Sequence, residues 1–171
     1  MPRKSAAAIR LLVLDVDGVL TDGRLHFGPT GETLKLFHVR DGLGIQQIAK
    51  AGIEVAVISG RKSKMVDIRC RELGVEHVHQ GAKDKVAVLE KLCARLKIQP
   101  SECACVGDDL PDIPVMRKVA LAFAVADAHI EARHAAHVIT RLPGGYGAVR
   151  EVCDYLLAHR GLTHRPKARA S

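Results

Sequence analysis

The stretch Leu14-Asp15-Val16-Asp17-Gly18-Val19-Leu20-Thr21-Asp22-Gly23 contains the strongest indication of the fold. It continues an apolar run that begins at Ile9, and such a run followed by a glycine-containing turn is typical of a buried strand and its end. Strands that are buried on both faces occur mainly in parallel sheets covered by helices. Three carboxylates therefore stand where the carboxyl end of such a strand is expected.

The rest of the chain alternates between apolar runs of strand length and segments of helical period. Strands are expected at 9–16, 53–58, 75–79, 103–106, 119–125 and 138–140, and helices at about 42–51, 62–73, 83–97, 113–118, 128–135 and 148–159. This alternation predicts an α/β fold: a doubly wound, Rossmann-like parallel sheet with right-handed crossovers and helices on both faces.

One segment interrupts the alternation. Residues 24–27 and 33–38 alternate in character around the turn Gly28-Pro29-Thr30-Gly31, which predicts a β-hairpin insertion at about 24–38. The hairpin would leave from the carboxyl end of the first strand, where ligands bind in open α/β sheets. We therefore expect it to cover a site or to meet a partner subunit.

Length and composition limit the classes of protein that fit. The 171 residues suit one domain, expected at 9–159, with a flexible N-terminus at 1–8 and a basic, disordered tail at 160–171. The formal charge of +7 lies largely at the two ends, and aromatic residues make up only 3%. We expect no nucleic-acid partner, because stacking side chains and recognition motifs are lacking. An anionic small substrate fits the charge equally well.

Cysteine usage and hydropathy indicate the compartment. The five cysteines are an odd number without CxxC spacing, which favours a reducing environment. No apolar stretch approaches the roughly 20 residues of a membrane span, and the N-terminus lacks a signal-peptide core. We expect a soluble cytoplasmic protein without a membrane partner.

Polar residues follow four of the expected strands. They are Asp15 and Asp17 after the first, Ser59 and Gly60 after the second, Lys85 at the start of the helix after the third, and Asp108, Asp109 and Asp112 after the fourth. Each one alone would be read as a helix cap, a turn residue or a solvated side chain. Together they would place carboxylates, a hydroxyl, a lysine and backbone N–H groups along one edge of the sheet.

Such a set can hold a phosphate and a hard cation. Mg²⁺ prefers oxygen ligands, which Asp15 and Asp108 could supply. Ser59 and the N–H groups at a helix start suit a phosphate, and Lys85 adds a positive charge. A carboxylate can attack phosphorus once cations cancel its repulsion from the phosphate. An acid nearby must then hold a proton, and a neighbouring carboxylate or partial burial could raise the pKa of Asp17 for this purpose.

The ordered motifs resemble those of the haloacid dehalogenase (HAD) superfamily of phosphotransferases. They are Asp15-Val16-Asp17-Gly18-Val19-Leu20-Thr21, Ser59-Gly60-Arg61, Lys85, and Gly107-Asp108-Asp109-Leu110-Pro111-Asp112. The resemblance implies that Asp15 is the nucleophile of an aspartyl-phosphate intermediate and that Asp17 acts as acid and base. It also implies that Ser59 and Lys85 bind the phosphoryl group, and that Mg²⁺ is held by Asp15, Asp108 and the backbone carbonyl of Asp17.

Further stretches resemble the 3-deoxy-D-manno-octulosonate 8-phosphate (KDO 8-phosphate) phosphatase family. They are Val39-Arg40-Asp41-Gly42, Ser59-Gly60-Arg61-Lys62, Ala124-Val125-Ala126-Asp127-Ala128 and the run from Gly144 to Val152. The resemblance implies a cap-less, Mg²⁺-dependent phosphatase of lipopolysaccharide biosynthesis. It also implies a homotetramer in which hairpins pair and a neighbouring subunit closes each site.

A sugar-acid substrate carries a carboxylate as well as a phosphate, so a second cationic region is expected. The candidates are Arg40, Arg61 and Arg69, because an arginine fork suits a carboxylate. Arg61, Met65 and Arg69 have helical spacing and would share one face. Asp41, Gly42, Gln46 and Gly60 complete the expected substrate-binding set. Asp109 and Asp112 would orient Lys85 or waters, and Arg150 would lie near a site.

Three alternatives to this function remain open from the sequence. The first is a phosphatase for a nine-carbon, sialic-acid-type 9-phosphate, which would share the same catalytic residues. The second is a non-catalytic oligomerisation module, against which the complete set of Asp15, Asp17, Ser59, Lys85 and Asp108 argues. The third is nucleic-acid binding, which would give an affinity that falls steeply with salt.

Overall fold

Six parallel strands form the central sheet of the computed structural model, which describes residues 6–161. Numbered with the two hairpin strands in chain order, the strands are β1 (Leu11–Leu14), β2 (His26–Gly28), β3 (Gly31–Leu34), β4 (Glu54–Ser59), β5 (His77–Gln80), β6 (Cys103–Gly107), β7 (Leu121–Ala124) and β8 (Val138–Ile139). The sheet order is β5-β4-β1-β6-β7-β8, with β1 at the centre. The chain therefore winds outward from β1 in both directions, which confirms the predicted doubly wound α/β class.

Helices connect the strands, as the apolar periodicity predicts. They are α1 (Val39–Lys50), α2 (Lys64–Leu73), α3 (Lys85–Leu96), α4 (Ile113–Met116), α5 (Ile130–Ala135) and α6 (Ala148–His159), with short 3₁₀ segments at Pro100–Glu102 and Leu110–Asp112. The α6 helix has the predicted bounds. The α1 helix begins three residues before the predicted start, because the His38 ring accepts a hydrogen bond from the Arg40 N–H and caps it.

The predicted hairpin is present as an antiparallel pair outside the main sheet. Its strands β2 and β3 meet at the turn Pro29-Thr30, and their register shifts between His26 and Phe27. The hairpin stands between the catalytic-side end of β1 and the start of α1, so it is anchored at the edge where the strands end. This position brings its side chains over the loops of the sheet.

The core is built mainly of aliphatic side chains around β1, all four residues of which are buried, with thiols, Met116 and Phe123. All five cysteines are buried and free, and the Cys93 and Cys103 sulfurs lie 3.5 Å apart. On one face of the sheet α1 packs against α6. Burial of β1 on both faces places its end, and hence Asp15, at the centre of the sheet's carboxyl edge.

The ends of the chain bear on the predicted domain limits. Residues 1–5 and 162–171, which hold most of the predicted flexible N-terminus and basic tail, lie outside the described residues. Ala6 is fully buried. Over residues 6–161, no helix has the length and apolar character that a membrane crossing requires.

Candidate active site

The carboxyl ends of three adjacent strands bring the predicted catalytic residues together. Asp15 follows β1, Ser59 is the last residue of β4, and Asp108 follows β6. Leu14, the last residue of β1, pairs with Val57 on one side and Val106 on the other, so these ends lie side by side. Lys85 is the first residue of α3, as predicted. The expected convergence on one edge is therefore present.

Three carboxylates lie close enough to share one cation. Oxygens of Asp15, Asp108 and Asp112, here called the carboxylate cluster, lie within 4.8 Å of one another. Lys85 Nζ is 2.9 Å from Asp15 Oδ1 and 2.7 Å from Asp112 Oδ1. One lysine thus faces three acids, so ionisation of all three would leave negative charge uncompensated.

The environment of these acids opposes their ionisation. Burial, together with Asp112, raises the pKa of Asp15 to about 6 despite the opposing effect of Lys85. Burial and the charges of Asp15 and Asp112 raise the pKa of Asp108 to about 8. Burial disfavours the charged form of Lys85, but the two carboxylates outweigh it and raise the lysine's pKa. Excess negative charge on clustered oxygen donors fits a hard divalent cation such as Mg²⁺.

Asp112 uses both carboxylate oxygens within the site. Oδ1 accepts the Lys85 hydrogen bond, and Oδ2 accepts from the N–H groups of Asp108 at 3.0 Å and Asp109 at 3.3 Å. Asp109 Oδ1 accepts from the Leu110 N–H at 2.7 Å and caps the 3₁₀ segment. Asp112 therefore orients both Lys85 and the turn that carries Asp108, whereas Asp109 shapes that turn.

Glycine is required where the loops approach most closely. Gly18 has φ +91°, and a Cβ there would lie 2.0 Å from Asp108 Oδ2. A Cβ on Gly144 would lie 1.7 Å from the Gly18 carbonyl oxygen, and the Gly145 N–H donates to the Val19 carbonyl at 3.0 Å. The Asp127 carboxylate accepts from the Gly144 N–H at 2.9 Å. The 144–147 loop thus lies directly on the turn that follows Asp17.

Sequence reasoning missed two hairpin residues near Asp17: Lys35, which contacts Asp17, and Glu32, which contacts Lys35. Lys35 Nζ is ion-paired with Asp17 Oδ1 and lies 3.0 Å from Glu32 Oε1. Its side chain is 1% exposed, although lysines are rarely buried. Neither residue carries a motif, and only the docking of the hairpin brings them to the site. Lys35 thus places the hairpin segment against Asp17, and the expectation that the hairpin covers a site or meets a partner subunit stays a prediction.

Arg61 completes this group of charges. Its Nε lies 3.6 Å from Asp17 Oδ2, and Nη2 lies 3.5 Å from Glu32 Oε1. The guanidinium carbon is 5.8 Å from the centre of the Phe27 ring. We call Asp17, Glu32, Lys35 and Arg61 the hairpin ring. Of the two conditions considered for Asp17 in the sequence, partial burial is present. The charged side chains in contact with its carboxylate are cations, however, and not a second carboxylate.

The expected helical face of Arg61, Met65 and Arg69 is wrong in one member. Arg61 precedes α2, which begins at Lys64 after the Ser63 cap, so it lies in the loop after β4. Met65 and Arg69 do share a face and line a cavity of about 380 Å³ with Val39. Arg69 also packs over α1, since a Cβ on Gly42 would lie 2.3 Å from its Nη2.

Other predicted substrate residues lie on or against α1. Arg40 and Arg150 line a cavity of about 580 Å³ with Arg141 and Tyr155, and none of Asp15, Asp17, Ser59, Lys85 or Asp108 lines it. Gln46 is half-buried on the same helix. The predicted set thus divides in two: Ser59, Gly60, Arg61 and Lys85 lie at the carboxyl edge, and Arg40, Asp41, Gly42, Gln46 and Arg69 lie on or against α1.

Asp41 is buried beneath the start of α6. Its Oδ1 accepts from the Arg150 N–H at 2.8 Å, and its exposure is only 1%. Burial raises the pKa of this carboxyl group, against the effect of the backbone hydrogen bond from Arg150. The contact ties α1 to α6 and so supports the 144–147 loop, which precedes α6.

Comparison with known proteins adds independent information. Residues 36–119 match the family of haloacid dehalogenase-like hydrolases. The 3-deoxy-D-manno-octulosonate 8-phosphate phosphatase KdsC of Escherichia coli strain K12 is 51% identical over 165 residues, which cover 96% of this chain and 88% of that protein. The same phosphatase from Salmonella typhi is 50% identical with the same coverage.

Solved structures agree with these matches. The crystal structure of 3-deoxy-D-manno-octulosonate 8-phosphate phosphatase from Yersinia pestis superposes with a TM-score of 0.91 at 48% identity, over 94% of this chain and 86% of that one. The enzyme from Moraxella catarrhalis, in complex with a magnesium ion, a phosphate ion and a KDO molecule, has a TM-score of 0.91 at 41% identity, over 94% and 92% of the two chains.

Proposed function

The chain belongs to the 3-deoxy-D-manno-octulosonate 8-phosphate phosphatase family of haloacid dehalogenase-like hydrolases, and we propose that it hydrolyses this sugar-acid phosphate in lipopolysaccharide biosynthesis. The observation that carries the proposal is the carboxylate cluster with Lys85, beside an acid two residues after Asp15. This arrangement suits transfer of a phosphoryl group to a carboxylate. The oligomerisation module of the alternative reading would need none of these groups.

In the proposed reaction Asp15 attacks the phosphorus atom and forms an aspartyl-phosphate. The bond between phosphorus and the sugar oxygen breaks, and Asp17 gives its proton to that oxygen. Water then attacks the intermediate while Asp17 takes up a proton, which releases inorganic phosphate and restores Asp15. Splitting the hydrolysis in this way replaces one difficult step by two easier ones.

Charge and position account for most of the expected rate enhancement. Lys85, held by both Asp15 and Asp112, offsets the negative charge of the phosphoryl group beside the nucleophile. Ser59, nearly buried at the end of β4, and the N–H groups after it would bind phosphoryl oxygens. These groups are preorganised because each lies at the end of a buried strand or the start of a helix.

Mg²⁺ would be held by the carboxylates of Asp15 and Asp108 and by the backbone carbonyl of Asp17, and it would supply positive charge that offsets the phosphate. Both oxygens of Asp112 already accept hydrogen bonds. We therefore assign Asp112 to positioning Lys85 and Asp108, and Asp109 to shaping the turn.

The substrate carboxylate would bind Arg61. This arginine is the predicted cation that lies beside Asp17, and 42% of its side chain is exposed. Arg40 lines a cavity that none of the predicted catalytic residues lines, whereas the cavity beside Arg69 is also lined by Lys35, the residue that contacts Asp17. The five free thiols support the reducing cytoplasm as the location.

A homotetramer is the proposed assembly, and exposed apolar side chains support it. Leu25, Phe27, Leu34 and Leu36 of the hairpin segment and Val39 of α1 are all more than 40% exposed. Exposed apolar side chains that are close together in the chain favour an interaction surface. Light scattering should give four copies per particle, and Leu36→Glu should lower that number. A monomeric parent protein would contradict the proposal.

Release of phosphate from two substrates tests the function. With Mg²⁺ present, the eight-carbon KDO 8-phosphate should be hydrolysed with a kcat/KM at least about tenfold above that for a nine-carbon, sialic-acid-type 9-phosphate. Chelation of the metal should stop both reactions. Equal rates for the two substrates would contradict the substrate assignment, and turnover in excess chelator would contradict the role of the metal.

A further inference from the structure

Two cations contact the carboxylate of Asp17, and they differ in burial and in the closeness of the contact. Lys35 reaches Oδ1 from the hairpin, and its side chain is 1% exposed. Arg61 faces Oδ2 at 3.6 Å and is 42% exposed. N–H···O hydrogen bonds are normally 2.7–3.2 Å long, so the contact with Arg61 is a loose ion pair.

Lys35 is held in place from two sides. Its amine contacts Asp17 and Glu32, which both belong to the hairpin ring. Withdrawal of the amine from these partners would leave a buried charge unpaired, which proteins avoid. The contact between Lys35 and Asp17 is therefore expected to persist when other groups enter the site.

Arg61 is free to change partners. Both of its ion pairs are 3.5 Å or longer, and its guanidinium also lies over Phe27. A substrate carboxylate can offer two oxygens to the guanidinium fork, a better arrangement than either present contact. Movement of Arg61 from Asp17 to the substrate carboxylate costs little, because Lys35 continues to balance the charge of Asp17.

We propose that Lys35 is a positioning residue that fixes Asp17 Oδ1, so that Oδ2 is the oxygen presented to the substrate once Arg61 moves to it. This inference rests on the proposed function and deepens it. It assigns the two cations separate tasks: Lys35 orients the acid throughout the cycle, and Arg61 binds the substrate.

Steady-state kinetics on the full chain with Mg²⁺ and KDO 8-phosphate separate these tasks. Lys35→Met keeps the length of the side chain and removes its charge, so kcat should fall about 100-fold while KM changes less than about threefold. Lys35→Gln, which retains a hydrogen-bond donor, should recover part of the lost kcat. Arg61→Met should mainly raise KM. Lys118→Met, at the exposed pair with Glu90, is the matched control and should resemble the parent protein.

Specific results would overturn the inference. If Lys35→Met raises KM and leaves kcat unchanged, Lys35 binds substrate instead of orienting Asp17. If Lys35→Gln folds, shown by its circular dichroism, and is no more active than Lys35→Met, the amine has no orienting role through hydrogen bonding.

A crystal structure of the parent protein soaked with KDO and inorganic phosphate supplies a test that needs no turnover. Lys35 should remain on Asp17 Oδ1, and an amine found away from Asp17 would overturn the inference even for a protein that does not hydrolyse KDO 8-phosphate. An inactive parent protein whose Lys35 stays on Asp17 would instead contradict only the proposed function.

Discussion

The carboxylate cluster and the hairpin ring lie on either side of the turn after β1, yet their charges are balanced differently. In the cluster three acids face one lysine, and burial raises the pKa of Asp15 and Asp108. In the ring two acids meet two cations. The cluster therefore needs a further cation, whereas the ring is already neutral and can only exchange one partner for another.

This difference corresponds to a division of labour. A site with excess negative charge can bind an anionic phosphate only if a cation binds with it. A balanced site can admit a substrate anion without a change in net charge if an existing contact opens. The residues of the cluster lie in the segments that follow β1 and β6. In the ring, Glu32 and Lys35 belong to the hairpin segment, and Asp17 and Arg61 lie in the loops after β1 and β4.

The largest expected effect is removal of the nucleophile from the cluster. Asp15→Asn should lower kcat about ten-thousand-fold or more, because the amide cannot form the covalent intermediate. The rate of phosphate release in the presence of Mg²⁺ measures this loss. Glu90→Gln, at the exposed ion pair with Lys118, is the control. Retained turnover in Asp15→Asn would refute the assignment of the nucleophile.

A smaller loss is expected when the packing under the cluster changes. Gly18 and Gly74 both have positive φ, but a Cβ would strike Asp108 at the first and has nothing within 4 Å at the second. Either change to alanine costs about 1–2 kcal/mol of backbone strain. Gly18→Ala should also lower kcat/KM about 100-fold by displacing Asp108. Equal activity of the two variants would show that the close approach is unimportant.

Metal binding tests the charge excess directly. Mg²⁺ at 100 times its Kd should add about 2.7 kcal/mol to the free energy of unfolding. For a domain of this size that corresponds to a rise in Tm of about 5–10 °C. Scanning calorimetry of the parent protein and Asp108→Asn should show the rise only in the former. A similar rise in both would place the cation elsewhere.

The smallest expected effects have opposite signs in the two regions. In metal-free protein above the pKa of Asp108, which is about 8, Asp108→Asn should raise the free energy of unfolding, because it relieves repulsion from Asp15 and Asp112. Glu32→Gln should lower it by about 1–2 kcal/mol, since Lys35 loses one of two charged partners. Urea denaturation of each variant and of the parent protein measures these changes in the free energy of unfolding. Changes of the same sign would contradict the contrast between the cluster and the ring.

Much of the site was predictable because strand ends in a parallel sheet meet at one edge. Asp15, Ser59, Lys85 and Asp108 each follow an apolar run, and topology alone makes them neighbours. Lys35 and Glu32 were not predictable in this way. They belong to a hairpin outside the main sheet, and no periodicity tells where such a hairpin docks.

The same reasoning explains the error at α2 and the surroundings of Asp41 on α1. Helical spacing placed Arg61 with Met65 and Arg69, but the helix starts after Ser63 and leaves Arg61 in a loop. Asp41 stays a predicted substrate-binding residue, and its carboxylate is buried under α6. Contacts between elements distant in the chain decide both cases.

The amino-acid sequence by itself determined the parallel sheet, the position of the hairpin and the residues at the strand ends. These follow from local hydrophobic period and from the geometry of crossovers, which act over one or two elements. Only the tertiary structure decided that a buried hairpin lysine holds Asp17, and that the two sets of charges differ in balance. Such pairings depend on which side chains meet across distant segments, and on the loss of water that makes an unpaired charge costly.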